Sequence, residues 1–230
     1  MQKKIFTEEE LECVQQMDLI KPGCDQATWL WHHVGGCSVL LRHKALERLK
    51  TVSGLDDKDM LETMIGDARE REEIRLRALD VMLIWLKKEK EKNGQDSSRY
   101  REGLDFLFNM FFDRNPYFSK GVVAGLGYLG GEEALRVLFR IISMPQGRIV
   151  YPKMVEEAID VGSERIADFG TFLADEIKKE PRLAIYLKGY QQRKQPIYHH
   201  SVYPSHDYMA LKIKEQHFDY RHFKYLVGTE

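Results

Sequence analysis

The chain has 230 residues, and 43% of them are hydrophobic, which is enough to build a continuous buried core in a soluble globular protein. The 35 Lys and Arg residues nearly balance the 36 Asp and Glu residues, which excludes the strong overall positive charge of a general nucleic-acid binder. The longest apolar runs, such as "DVMLIWL", are too short to cross a bilayer, so we expect no membrane contact.

The chain begins with "MQKKIFTEEE", in which no apolar run follows the basic residues, so we expect neither a secretory signal nor an anchor. Thr7 and Glu10 have the spacing of a capping box and predict the start of a first helix. Three widely spaced cysteines, Cys13, Cys24 and Cys37, suit a reducing compartment better than a disulfide framework. These features together predict a cytoplasmic protein.

The next segment, "CDQATWLWHHVGGC", carries two thiols and two imidazoles that could bind zinc: Cys24, His32, His33 and Cys37. Structural zinc sites usually take their ligands in closely spaced pairs, which this segment lacks. Gly35 and Gly36 also interrupt the turn that would align His33 with Cys37. We therefore expect no metal here, and we expect three apolar residues to cover the exposed edge of the first repeat: Trp29, Trp31 and Val34.

An internal repeat follows. The stretches "LLRHKALERLKTV" (40–52) and "EIRLRALDVMLIW" (73–85) align without a gap, each reading apolar, Arg, any, basic, Ala, Leu. A third copy, "FSKGVVAGLGYLGG", starts at residue 118, and a weaker fourth, "MVEEAIDVG", at residue 154. One position, alanine in three copies, recurs at intervals that suit two helices and two turns: Ala45, Ala78, Val122 and Ala158.

Each copy is followed by a second run of apolar residues at helical spacing, over residues 61–65, 104–111, 135–142 and 169–177. A small residue at the repeated position lets neighbouring helix backbones approach, and the apolar residues around it fill the seam between units. This packing is typical of an α-solenoid. No alternating strand pattern of useful length is present, so the sequence predicts an all-α fold.

The stretches "LRHKALERL", "IRLRALDVM" and "VVAGLGYLGGEEALRVL" resemble the HEAT-repeat superfamily, in particular its short, phycobilisome-lyase-like variant. The resemblance covers about residues 38–178, and Ser119 and Val155 replace the arginine in the third and fourth copies. It implies one α-solenoid domain over residues 1–230, with about four HEAT-like helical pairs. Residues 1–37 would form an amino-terminal cap and residues 179–230 a carboxyl-terminal helical cap.

The carboxyl-terminal part holds the densest cluster of aromatic and imidazole side chains, including "RKQPIYHHSVYPSHDYMALK" (193–212). Residues 181–230 hold eight Lys or Arg residues against four Asp or Glu residues, which makes this segment basic. Its histidines, among them His199, His200 and His206, have no carboxylate-rich neighbour and no helical i, i+4 pairing, so we expect neither a metal nor a cofactor. Two interpretations stay open: a cap packed on the fourth repeat, or a partner surface.

HEAT-like proteins are mostly scaffolds and binding modules, so the resemblance implies a non-enzymatic protein-binding module, such as an adaptor, an assembly factor or an inhibitor of the immunity-protein type. In such solenoids the second helices of successive units usually line a concave groove. Nine residues are predicted to contact a protein partner there, six from second helices and three from the carboxyl-terminal loop: Tyr100, Arg101, Asp105, Asn109, Arg136, Arg140, His199, His200 and Tyr203.

Enzymatic uses of HEAT-like folds leave few matches in this sequence. The repeated His-Glu dipeptides of di-iron hydroxylases are absent, and no matched residue supports lyase chemistry on a tetrapyrrole. The alternative from another class is a nucleic-acid-directed protein, such as a HEAT-like DNA glycosylase, that uses the basic carboxyl-terminal segment.

Overall fold

The computed structural model describes residues 7–21, 27–52, 58–113, 116–144 and 152–184. Helices contain 79% of these residues, and none of them lies in a strand, so the prediction of an all-α fold is confirmed for the described part. The described helices, in chain order, are α1 (Glu8–Leu19), α2 (Ala27–Val34), α3 (Val39–Leu49), α4 (Lys58–Gly66), α5 (Glu72–Asn93), α6 (Ser98–Met110), α7 (Pro116–Leu129), α8 (Gly131–Ser143), α9 (Pro152–Ser163) and α10 (Phe169–Lys179).

The described residues divide into two compact units, and the division falls inside α5. Unit 1 runs to Trp85, and unit 2 starts at Leu86. The predicted single domain over residues 1–230 stays a prediction.

In unit 1, α3 packs against both α1 and α2. The predicted capping box is present at the start of α1, where the Glu10 amide donates to Thr7 Oγ1 (3.1 Å) and the Thr7 amide donates to Glu10 Oε2 (2.8 Å). On α2, Trp31 and Val34 are buried, whereas Trp29 is partly exposed. That these three residues cover the edge of the first repeat stays a prediction.

Unit 1 also contains charged groups between α3 and α5. Lys50, the residue that follows α3, donates from Nζ to a carboxylate oxygen of Asp80 on α5 at 2.6 Å. Arg77 Nε of α5 donates to His43 Nε2 of α3 at 3.0 Å, and both of these side chains are buried. A buried charge is tolerated only when it is paired, so these contacts fix how α3 and α5 pack.

The aligned arginine position of the repeat has one structural role in three copies. Its side chain donates a hydrogen bond to a carbonyl at the carboxyl end of the preceding helix: Arg42 Nε to Val34 (2.7 Å), Arg75 Nε to Ile65 (2.7 Å) and Ser119 Oγ to Phe111 (2.9 Å). Carbonyls at that end of a helix have no partner within the helix. The Ser119 hydroxyl therefore makes the same hydrogen bond to a helix end as the two arginines. This shared contact supports the alignment of the third copy.

Unit 2 is organised around α7 and α8. Helix α7 packs against α8 and α9, and α8 packs against α6 and α9 as well. At the crossing of α7 and α9, a Cβ added to Gly127 would lie 2.7 Å from Cα of Ala158, so the two backbones nearly touch there. All four aligned positions are buried: Ala45, Ala78, Val122 and Ala158.

Candidate protein-binding groove

An open groove in unit 2 runs between the carboxyl-terminal half of α8 and the carboxyl end of α10, with a volume of about 360 Å³. Its apolar floor is formed by Phe139, Met144 and Leu183. Its main polar lining consists of three arginines and two glutamates: Arg136, Arg140, Arg182, Glu176 and Glu180. We call this feature the α8–α10 groove.

The sequence of α8 explains why two arginines reach the groove. The buried residues of this helix recur at helical spacing and face the core: Ala134, Leu135, Leu138, Phe139, Ile141 and Ile142. Arg136 and Arg140 lie between these positions and are four residues apart, which places both on one face of the helix.

Arg136 is neutralised by carboxylates of its own unit. Its guanidinium donates to Glu133 at 2.5 Å, Glu132 at 2.8 Å and Glu176 at 3.2 Å, and its Cζ lies 5.3 Å from the ring centre of Phe172. Partial burial alone would lower the pKa of Arg136, but the hydrogen bond to Glu176 and the charges of the three glutamates raise it above its usual value. This side chain is held in place and has little left to offer a partner.

Arg140, one turn further along α8, is in a different situation. Its side chain is exposed, and its Cζ lies 3.9 Å from the ring centre of Phe108, so the guanidinium stacks on an aromatic face. No carboxylate of the described residues forms an ion pair with it. The stack therefore orders the cation while leaving its N–H donors available at the edge of the groove.

The other polar groups of the groove largely pair among themselves. Glu176 accepts from Lys179 at 2.7 Å in addition to Arg136. The backbone amide of Arg182 donates to Glu180 at 3.2 Å, and the Ser143 hydroxyl donates to the Phe139 carbonyl at 2.8 Å. The Arg182 guanidinium also lies 4.0 Å from Glu180, so Arg140 is the one charged side chain of this groove that has no ion pair among the described residues.

The four residues of α6 that are predicted to contact a partner do not line the α8–α10 groove. Tyr100 is fully buried at 0% exposure, and burial, with the charge of Glu133, raises its pKa above the usual range. It therefore does not face a groove, and the expectation for Tyr100 is corrected. Arg101, Asp105 and Asn109 are exposed on α6, but none of them lines the α8–α10 groove, and Arg101 forms an ion pair with Asp96 instead.

Of the nine predicted residues, the α8–α10 groove brings together Arg136 and Arg140. His199, His200 and Tyr203 lie outside the described residues. The prediction missed Phe108, which appears in sequence as one more apolar position of α6, and Glu176, which lies 40 residues from the arginine it holds. Neither side chain could be connected to the arginines of α8 by local spacing.

No group of three or more His, Cys, Asp or Glu side chains in the described part of the chain is arranged to hold a metal ion. The rings of His32 and His33 lie 5.6 Å apart, and partial burial together with the charge of His32 lowers the pKa of His33. Cys24 and His206 are not among the described residues. Within the ranges that are described, no helix is long and apolar enough to cross a membrane.

Comparison of the chain with protein-family models, with curated proteins and with solved structures found no match. The resemblance to HEAT repeats therefore stays a prediction from the residues that carry it, and function has to be argued from the groove.

Proposed function

We propose that this chain is a non-enzymatic protein-binding module, built as an α-solenoid of HEAT-like helical pairs, and that a protein partner binds in the α8–α10 groove. The shared capping role of Arg42, Arg75 and Ser119 supports a repeated structural unit. The buried alanine positions support the same register. Two-helix units stacked in this way offer extended surfaces for partners.

The state of Arg140 is the observation that carries the function. Arginine and aromatic side chains concentrate the binding energy of protein interfaces. Arg140 is already ordered on the face of Phe108, so less conformational entropy is lost when a partner binds it. Arg136, four residues away, has three internal carboxylates, whereas Arg140 has none among the described residues. The guanidinium of Arg140 therefore has no acceptor among the described residues, and a partner can supply one.

The composition of the groove favours a protein over a nucleic acid as the partner. Arg136 and Arg182 already pair with Glu176 and Glu180, so a phosphate backbone that followed the groove would find only Arg140 unpaired among the described lining residues. A protein segment needs only one acceptor at Arg140 and can present neutral or basic groups elsewhere. The predicted alternative, which uses the basic carboxyl-terminal segment, concerns residues outside the described part.

Affinity capture from the native organism tests the proposal. Immobilised wild-type protein is compared with Arg140→Gln and with the matched control Arg101→Gln, another exposed arginine of unit 2. We expect the wild type and the control to capture the same protein with equal affinity. Arg140→Gln should bind that protein at least about thirtyfold less tightly, because the loss of an interface anchor costs about 2 kcal/mol.

Two outcomes would contradict the proposal. Equal retention by all three proteins would show that the α8–α10 groove is not the binding site. Loss of the captured material on nuclease treatment, together with a steep fall in affinity as salt rises, would favour the nucleic-acid alternative. Circular dichroism of both variants controls for folding.

A further inference from the structure

We infer that the partner segment presents a carboxylate to Arg140 and a bulky apolar side chain to Phe112, with one residue between the two. This inference rests on the proposed function, because it specifies the chemistry of the segment that the α8–α10 groove binds. It extends the surface from the groove onto the carboxyl end of α6.

The first half of the inference is a carboxylate at Arg140. A guanidinium that stacks on a ring presents its N–H donors at its edge, where the planar carboxylate group can accept two parallel hydrogen bonds. A doubly charged phosphate would also suit a guanidinium, but Glu176 and Glu180 already pair with the other cations of the groove. Among the described residues Arg140 alone is left to neutralise the ligand, so one of the two phosphate charges would stay unmatched. The groove therefore fits a carboxylate better than a phosphate.

The second half is an apolar residue at Phe112. This ring is 39% exposed, which is unusual for a large apolar side chain in the described part of the chain. It lies edge-on to Phe108 at 5.4 Å and to Phe111 at 5.2 Å between ring centres. Phe111 and Phe108 are both buried, so they hold the exposed ring from beneath. Covering such a ring removes apolar area from water and favours binding.

Phe108 connects the two halves, because it contacts both Arg140 and Phe112. Its ring centre is 3.9 Å from Cζ of Arg140 and 5.4 Å from the ring centre of Phe112. The cation and the exposed ring are therefore less than 10 Å apart. In an extended segment, side chains two positions apart lie on one face, separated by about 6.6 to 6.8 Å. The next spacing on that face, four positions, would be about 13 Å and would exceed this limit, so the apolar and the acidic residue have one residue between them.

Synthetic peptides test the inference on the full chain. The probes are acetylated and amidated heptapeptides: GSFSDSG, its Asn counterpart GSFSNSG, its Ala counterpart GSASDSG, and a version of the first with phosphoserine in place of Asp. Affinities come from NMR titrations of isotope-labelled protein, which detect weak binding. We expect GSFSDSG to bind at least about tenfold more tightly than each of the other three, since each lacks one of the two matched groups or carries excess charge.

Variants assign each preference to one side chain. Arg140→Gln should abolish the preference for Asp over Asn while leaving the preference for Phe over Ala, and Phe112→Ser should do the reverse. Loss of only one preference distinguishes lost recognition from lost folding, because an unfolded variant would lose both. Arg101→Gln should change neither preference.

Several results would overturn the inference. They are no detectable binding of GSFSDSG at millimolar concentration, equal affinity for the Asp and Asn peptides, and tighter binding of the phosphoserine peptide. If a captured protein still depends on Arg140, the proposed function stands while this partner chemistry fails. If the peptides bind as expected but no captured protein depends on Arg140, the proposed function fails instead.

Discussion

Replacing Gly127 with alanine tests the closest helix crossing in unit 2. The added Cβ would lie 2.7 Å from Cα, and 2.9 Å from both Cβ and the carbonyl oxygen, of Ala158. Carbon atoms in ordinary contact are about 3.5 to 4.0 Å apart, so α7 and α9 must separate by roughly 1 Å. The obstructing atoms belong to the backbone or to a methyl group attached to it, so no side-chain rotation relieves the clash.

The magnitude follows from two opposing effects. Overpacking a rigid contact costs about 3 kcal/mol, at the upper end of the usual range. Alanine is favoured over glycine within a helix by about 1 kcal/mol, which offsets part of that cost. We expect Gly127→Ala to lower the free energy of unfolding by about 2 kcal/mol, which corresponds to a fall in Tm of about 4 to 8 °C for a chain of this size.

Thermal unfolding followed by circular dichroism at the helical signal measures the effect. Gly66→Ala is the matched control, because Gly66 is the last residue of α4 and an added Cβ there would meet nothing within 4 Å. The control should be unchanged or slightly more stable. Gly103→Ala should cost less than Gly127→Ala, because the three atoms nearest its added Cβ all belong to the side chain of Leu86, which can move. A Gly127→Ala protein as stable as the Gly66→Ala protein would refute the backbone contact between α7 and α9.

Three further predictions concern the cap, the seam and a buried amine. Ser119→Ala should lower the free energy of unfolding, measured by urea denaturation, by about 1 kcal/mol, because it leaves a helix-end carbonyl without its donor. Thr63→Ala, on the exposed face of α4, should lower it clearly less, and equal losses would contradict the capping role. Ala78→Leu should overpack a buried position and lower the free energy of unfolding by about 1 to 3 kcal/mol, whereas Glu47→Ala should change it little. A larger loss for Glu47→Ala than for Ala78→Leu would show that the repeat register is wrong. Burial, with nearby positive charges, lowers the pKa of Lys90 from 10.5 to about 8, so between these pH values the unfolded chain binds more protons than the folded chain. The stability of the wild type relative to Lys90→Met should therefore rise as pH increases through this window, and a fall would contradict the assigned shift.

The helices were predictable because their signals are local. The capping box of Thr7 and Glu10 and the helical spacing of apolar residues require only neighbouring positions. The repeat added long-range information, since an alanine that recurs with the same flanking residues predicts a buried helix contact. Ala45 and Ala78 are buried as that pattern requires.

The error at Tyr100 was avoidable from the sequence. Tyr100, Leu104 and Leu107 follow one another at intervals of four and three residues, so the tyrosine belongs to the apolar stripe of α6 and not to the polar face beside it. All three side chains are buried. Arg101, the next residue of α6, is exposed, whereas the prediction places both side chains in the groove.

The difference between the two arginines of α8 was not predictable. Arg136 and Arg140 look equivalent in sequence, four residues apart on one face. What separates them comes from distant segments: Glu176 of α10 holds the first, and Phe108 of α6 supports the second. Only the packing of three helices in unit 2 shows which arginine has donors left for a partner.

The most direct test of the proposed function is the dissociation constant of the captured partner for the wild type, Arg140→Gln and Arg101→Gln, measured by titration calorimetry under identical salt conditions. We predict that Arg140→Gln raises Kd at least about thirtyfold, as the loss of an interface anchor worth about 2 kcal/mol requires, while Arg101→Gln changes Kd less than about twofold. Equal dissociation constants for the wild type and Arg140→Gln, with both proteins folded, would contradict the proposal that the α8–α10 groove is where this protein binds its partner.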